Sequence, residues 1–346
     1  MPSYDAFLLV SFGGPEARRD VIPFLENVTR GRGIPAARLA QVADHYYLFG
    51  GVSPINQQCR DLLAAVEKDF AASGINLPLY WGNRNWDPYL TDTVAAMAAD
   101  GVRSAVAFVT AAYSSFSSCR QYLDDIARAR ALVGDGAPRI DKLRPYFNHP
   151  GFIEPLADAT AAAIESLPAA VRRDADLVFT AHSIPAAMAA ASGPSGGAYQ
   201  AQLTEASRLV AERVTARSWR LAYQSRSGPP SQPWLGPDVL DCIGELAQSG
   251  SRAVVLVPVG FISDHLEVRY DLDVEAAQTA LQLGIALARA ATPGPDPRFA
   301  ALVTELVREQ LEGLPPRALG SPRLAGDLCT AWCCGSGRPA AGSGAA

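Results

Sequence analysis

The chain has 346 residues, 49% of them hydrophobic, with 30 basic and 35 acidic side chains and a net charge of -5. That length suits two ordinary domains or one large α/β unit with a sizeable core. The mild negative balance offers no electrostatic footprint for nucleic acid or for an anionic membrane surface, so the expected ligand is small. No stretch reaches the roughly 18 apolar residues of a membrane span, and the opening MPSYDAFLLVSF lacks the basic start and long apolar core of a secretory signal, so the expected location is cytoplasmic.

Short apolar runs bounded by turn residues alternate with longer amphipathic stretches, the pattern of β-α units around mainly parallel sheets. In chain order the predicted strands are AFLLVSF (6–12), LPLYWG (77–82), SAVAFVTAA (104–112), DLVFTAH (176–182), WRLAYQS (219–225), AVVLVPVGF (253–261) and IALARA (285–290). Helical spacing appears over 61–73, 89–101, 117–132, 199–214, 272–284 and about 296–313. The two halves correspond: VSFGGPE matches TAHSIPA as a strand exit, YWGNRN matches AYQSRS, and FVTAAYSS matches VPVGFISD. The expectation is two doubly wound, Rossmann-like domains related by duplication, 1–160 and 161–320, followed by a Cys-containing tail over 321–346.

Ligands of such sheets bind beyond the carboxyl ends of the strands, so polar residues at strand exits carry the functional information. Two exits stand out among only four histidines. AHSIP places His182 at the end of one strand, and SDHLE places Asp264, His265 and Glu267 just beyond another, with Asp271 and Asp273 following. An imidazole facing a carboxylate across a cleft can move protons near neutral pH or ligate a divalent metal. Asp273 alone reads as an acidic residue in the first turn of a helix. There is no P-loop, no GxGxxG after a strand, no GxSxG elbow and no HExxH.

FGGPE (12–16), GGVSPIN (50–56), AHSIP (181–185), QSRSGPPSQPWLGP (224–237) and SDHLEVRYDLD (263–273), in that order, resemble the ferrochelatases, which insert ferrous iron into a porphyrin. The likeness runs from about residue 5 to about residue 320. It implies a porphyrin cleft between two Rossmann-like domains, with His182 and Glu267 as the catalytic, metal-proximal pair and Asp264, His265 and Asp271 relaying protons or metal. It further implies a porphyrin-binding set of Phe12, Tyr46, Tyr113 and Trp234 as apolar contacts, and of Arg30, Arg32 and Ser53 for the propionates, for which solvated surface arginines are an equal reading. Arg84 and Arg120 would add to a basic pocket. Phe12 departs from many bacterial relatives, which carry a tyrosine at this turn. The actinobacterial relatives take coproporphyrin III, which is the favoured substrate; protoporphyrin IX, a cobalt chelatase of the same fold, and a non-catalytic haem or metal carrier are the alternatives. The resemblance also implies a [2Fe–2S] cluster on Cys119, Cys329, Cys333 and Cys334, against which stand three exposed thiols on a mobile tail. Cys59 and Cys242 read as core residues. Besides porphyrin and Fe(II), the expected partners are neighbouring enzymes of the haem pathway, in transient contact.

Overall fold

The computed structural model describes residues 3–320, apart from Arg32, Pro229, Pro230 and Pro295, together with residues 333–337. The first half runs β1 (Ala6–Ser11), α1 (Val21–Val28), α2 (Ala36–Leu48), α3 (Ile55–Ala72), β2 (Leu79–Asn83), α4 (Leu90–Ala99), β3 (Ser104–Val109), α5 (Gln121–Val133) and β4 (Arg139–Lys142). Then come α6 (Pro150–Ser166), β5 (Asp176–His182), α7 (Ala186–Ala190), α8 (Ala198–Arg213), β6 (Trp219–Gln224), α9 (Val239–Gln248) and β7 (Ala253–Val257). The chain continues through α10 (Leu266–Val268), a π-helical segment Arg269–Ala276, α11 (Ala277–Gln282), β8 (Ala286–Arg289) and α12 (Pro297–Glu312).

All strands are parallel, in two four-stranded sheets of order β2-β1-β3-β4 and β6-β5-β7-β8. The order is the same in both, which is the duplicated α/β plan expected from the sequence. The strands are buried along their whole length in β1 and β7, because a parallel sheet is covered on both faces and selects near-continuous apolar runs. Side chains still alternate between two destinations, as the strand period of two requires. Ala6, Leu8 and Val10 pack outward with Val94, Met97 and Ile126, whereas Phe7 and Leu9 face a larger cluster. Val178, Val254 and Leu256 are the outward set of the second sheet, under Ile243 and Leu246 of α9.

The larger cluster belongs to both halves at once. It joins Phe7, Phe70 and Phe108 of the first sheet and α3 to Phe152, Phe179 and Phe299 of α6, β5 and α12. Helix α3 presents Ile55, Cys59, Leu62, Val66 and Phe70 along one stripe at helical spacing. Helix α12, the last helix among the described residues, packs against both α3 and α6. Helix α6 starts at Pro150, with His149 as N-cap accepting from the Gly151 amide at 3.0 Å, and it runs unbroken through residue 160. Its packing on α8, α12, β7 and β8 therefore places the whole helix with the second half.

Candidate active site

The strand ends of the second sheet assemble the site. His182 is the last residue of β5 and pairs in register with Gln224, the last residue of β6. Its Nδ1 lies 2.5 Å from the Ser183 carbonyl oxygen. A carbonyl only accepts, so Nδ1 carries the proton and Nε2 presents its lone pair outward. The backbone carbonyl of His182 is itself held by the Tyr199 hydroxyl at 2.9 Å. Nε2 faces Glu267 Oε2 across 3.6 Å, an ion-pair distance too long for a direct hydrogen bond.

Glu267 reaches this position because β7 stops at Val257, and the following turn makes a sharp entry into α10. His265 is the N-cap of that helix, its Nδ1 accepting from the Val268 amide at 3.3 Å, while the Phe261 ring packs edge-on against its imidazole. His265 thus caps the short helix that carries Glu267. The π-helical segment after Val268 widens the next turn and carries Asp271 to the end of β6, where Gln224 Nε2 donates to it at 3.1 Å and the Ser225 hydroxyl donates to the same oxygen. Such π-helical turns recur at functional sites. Ser225 adopts a positive φ of 60°, which turns its hydroxyl onto that carboxylate.

The electrostatics divide these groups into distinct roles. Burial opposes charge on His182, but the neighbouring Glu267 carboxylate, the Ser183 carbonyl and Asp271 outweigh it and hold the imidazole above its usual range. Glu267 is likewise opposed by burial, yet His182 and His265 hold its carboxyl below the usual range. Burial, then the Glu267 charge, push Asp271 up to about 7 against the hydrogen bonds from Ser225 and Gln224. His265 is lowered, chiefly by burial. The site therefore combines an ionised carboxylate, an imidazole of raised basicity and a carboxyl that changes charge near neutral pH.

From the first half, Tyr46 of α2 faces the same carboxylate: burial, with a smaller contribution from the Glu267 charge, raises its phenol well above the ordinary value. Its ring packs on Phe24, which in turn contacts Phe12 and Trp86, so Phe12, 37% exposed at the end of β1, belongs to one aromatic wall with Tyr46. Helix α2 also touches the π-helical segment. His45 stacks on Tyr270 at 3.7 Å, and the Arg269 guanidinium lies 4.8 Å from the Phe49 ring. Trp234 bridges to Pro185 beside the His182 exit; its indole covers Gly228, where any Cβ would stand 2.2 Å from Nε1.

Other expected residues sit elsewhere. Tyr113 is 3% exposed; its hydroxyl donates to the Val259 carbonyl at 2.7 Å and its ring packs among Phe147, Phe152 and Tyr199 in the core. Ser53 is buried beneath Gly14 of the FGGPE turn. Arg84, 7% exposed, is paired with Asp125, and Arg120 pairs with Asp124, so neither is a spare cation for the cleft. Arg30 is exposed at the end of α1, and Arg32 lies outside the described residues. Asp264, expected in the relay, gives both oxygens to Arg289 at 3.1 Å. Gln224, Ser225, Tyr199 and Arg289 escaped the sequence reading, although QS at a strand exit in QSRSGPP was the available signal for the first two.

Cys119, Cys333 and Cys334 come together as one buried cluster, which replaces the picture of exposed tail thiols. Cys334 Sγ accepts from the Gly193 amide at 3.2 Å, and a hydrogen bond with Cys119, then burial, raise its thiol. Cys329 lies outside the described residues. Among the described residues no group of three or more His, Cys, Asp or Glu side chains is arranged to hold a metal ion. Nor is any described helix long and apolar enough to cross a membrane. Cys59 and Cys242 are buried in helices, as expected.

A ferrochelatase family model matches residues 4–311. The chain belongs to the ferrochelatase family. It is 55% identical to the coproporphyrin III ferrochelatase of Nocardia farcinica, covering 98% of this chain and 99% of that one. Similar relatives of the same description are found in Streptomyces coelicolor, at 52% identity over 97% and 94% of the two chains, and in Mycolicibacterium smegmatis, at 55% over 92% and 94%. Among solved structures, SirB from Bacillus subtilis with Fe3+ shares the fold, with a TM-score of 0.53 at 12% identity over 92% of this chain and 100% of that one. The ferrochelatase is thus an enzyme that places iron in a porphyrin, on a fold held in common with a very distant protein.

Proposed function

We propose that the enzyme inserts Fe(II) into coproporphyrin III, with His182 and Glu267 on one side of the macrocycle. The reading is carried by one observation: a histidine at the exit of β5 whose Nε2 stands 3.6 Å from a carboxylate kept ionised, on the short helix α10 that follows the adjoining β7. Insertion exchanges two pyrrole N–H protons for one dication, so two protons must leave for each metal that enters. His182 Nε2 accepts a pyrrole proton, and Asp271, titrating near neutral pH, takes protons onward. Glu267 keeps its charge and guides the incoming cation. Imidazole and carboxylate oxygen bind Fe(II) well enough to strip some of its water without trapping it as thiolates would. The aromatic wall of Phe12, Phe24 and Tyr46 supplies the opposing apolar surface. The substrate choice is supported by three relatives above 50% identity that are described as coproporphyrin III ferrochelatases. A cytoplasmic site of action and passing contact with the enzymes before and after it in haem synthesis complete this reading.

The test is anaerobic Fe(II) insertion followed by absorbance, with coproporphyrin III and protoporphyrin IX side by side. Faster turnover of coproporphyrin III is expected; preference for protoporphyrin IX would reassign the substrate, and turnover of neither would overturn the reading.

A second reading concerns the thiols. Cys333 and Cys334, adjacent in the chain, meet the distant Cys119 in one buried cluster, and together with Cys329 these thiols would be the ligands of a [2Fe–2S] cluster. When bound, such a cluster supplies one-electron redox chemistry; the cysteines for their part fasten the C-terminal segment to the Gly193 turn between α7 and α8. Acid-labile sulfide and iron assays on anaerobically purified protein check it. Cys333→Ser should lose both along with the visible absorption, and unchanged sulfide would remove Cys333 from the ligand set.

A further inference from the structure

Arg289 is the last residue of β8, on the edge of the second sheet, in register with Leu256 of β7. Its guanidinium donates through Nη1 and Nη2 to the two oxygens of Asp264, each at 3.1 Å, and through Nε and Nη2 to Asp273 at 2.5 and 3.2 Å. The side chain is only 18% exposed, and Asp264 and Asp273 are 20% and 32% exposed. Between these two aspartates lies the segment that carries His265, Glu267 and Asp271. It comprises three α-helical residues followed by the π-helical segment, a conformation with little intrinsic persistence. One planar fork therefore clamps both ends of an otherwise weakly determined turn to a rigid strand. Only a guanidinium has the donors to serve two carboxylates at once in a fixed geometry.

We infer that Arg289 is a positioning residue for metal insertion, acting by tying Asp264 to Asp273 so that Glu267 and Asp271 are held at the level of His182. Asp264 then works through Arg289 and not as a proton carrier, since taking a proton would break the pair that holds it. This inference rests on the assignment of His182 and Glu267 as the reacting pair. The size of the effect follows from geometry: displacing a reacting group by about 1 Å costs on the order of 100-fold in rate.

The experiment compares R289M, R289K, D264N and the double variant D264N/R289M in the anaerobic Fe(II) insertion assay, with porphyrin affinity read from quenching of tryptophan fluorescence. R289M is expected to lower kcat by about 10- to 100-fold while porphyrin affinity changes by less than about threefold, and R289K is expected to recover part of the loss. D264N should resemble R289M, and the double variant should be no slower than the slower single variant, because the two side chains act as one unit. A kcat for R289M within about twofold of the parent would overturn the inference, as would a double variant slowed by the product of the two single effects. Should R289M not fold, D264N, R289K and D264N/R289K give the same comparison. E267Q in the same assay separates the two levels: an active E267Q removes the reacting pair itself, whereas an inactive E267Q beside a fully active R289M removes only the brace.

Discussion

Asp271→Asn gives the most direct physical test of the site because it isolates one buried charge. Burial and the Glu267 charge raise this carboxyl from 3.8 to about 7. A group that binds its proton more tightly in the folded state makes folding stability fall as pH rises between its unfolded and folded values, here from roughly 4 to 7. The whole shift corresponds to about 4 kcal/mol at 1.36 kcal/mol per unit, and the part lying between pH 5 and pH 8, with allowance for partial exposure, to about 2 kcal/mol. Asparagine retains an oxygen to accept from Gln224 and Ser225 but cannot ionise. The variant should therefore gain about 2 kcal/mol relative to the parent on moving from pH 5 to pH 8. Reversible guanidinium unfolding of metal-free protein at the two pH values measures this as a difference of differences, which cancels the titration of carboxylates that do not interact with Asp271. A gap that stays constant within about 0.5 kcal/mol would refute the reasoning, because Asp271 would then not change charge in this range.

His182→Ala should abolish insertion while porphyrin still quenches tryptophan fluorescence, since the aromatic wall is untouched; appreciable turnover would move proton acceptance elsewhere. The parent enzyme should become faster as pH rises through the elevated value of His182, because the protonated ring has no lone pair to offer, and a rate that is flat from pH 6 to 9 would contradict that role. Gly51→Ala should destabilise the fold by about 3 kcal/mol or more, read as a lowered thermal midpoint: its φ is +78° and a Cβ would stand 2.6 Å from the Arg18 Cα.

Much of this architecture could be read from the chain because parallel strands covered on both faces leave continuous apolar runs, as in AFLLVS and AVVLV. That the His182 exit and the SDHLE exit would face one cleft followed from the rule that strand exits gather ligands, whereas the choice of Glu267 as the partner of His182 came from the ferrochelatase resemblance. What lay beyond reach was set by tertiary partners. β4 is the four-residue edge strand RIDK, too short and too charged to announce itself. The small residues of α6 and the mixed polarity of α2 hide two helices that matter most for the core and the rim. Tyr113 follows a strand exit and Ser53 the α2–α3 turn, and the burial of both is set by partners that the local sequence does not announce. Arg289 reads as one polar residue in a strand, because nothing local marks a guanidinium whose two carboxylates lie 25 and 16 positions away.

The common core under both sheets has a mechanical consequence. Phe70, Phe152, Phe179 and Phe299 lock α3, α6, β5 and α12 into one mass, so the two halves cannot swing apart like the covers of a book without breaking close-packed contacts. At the rim the two halves meet through far fewer groups, His45 on Tyr270 and Arg269 over Phe49. A flat macrocycle must be bent before metal can enter it, and bending needs an anvil that does not yield. Here that unyielding part is the core shared by both sheets.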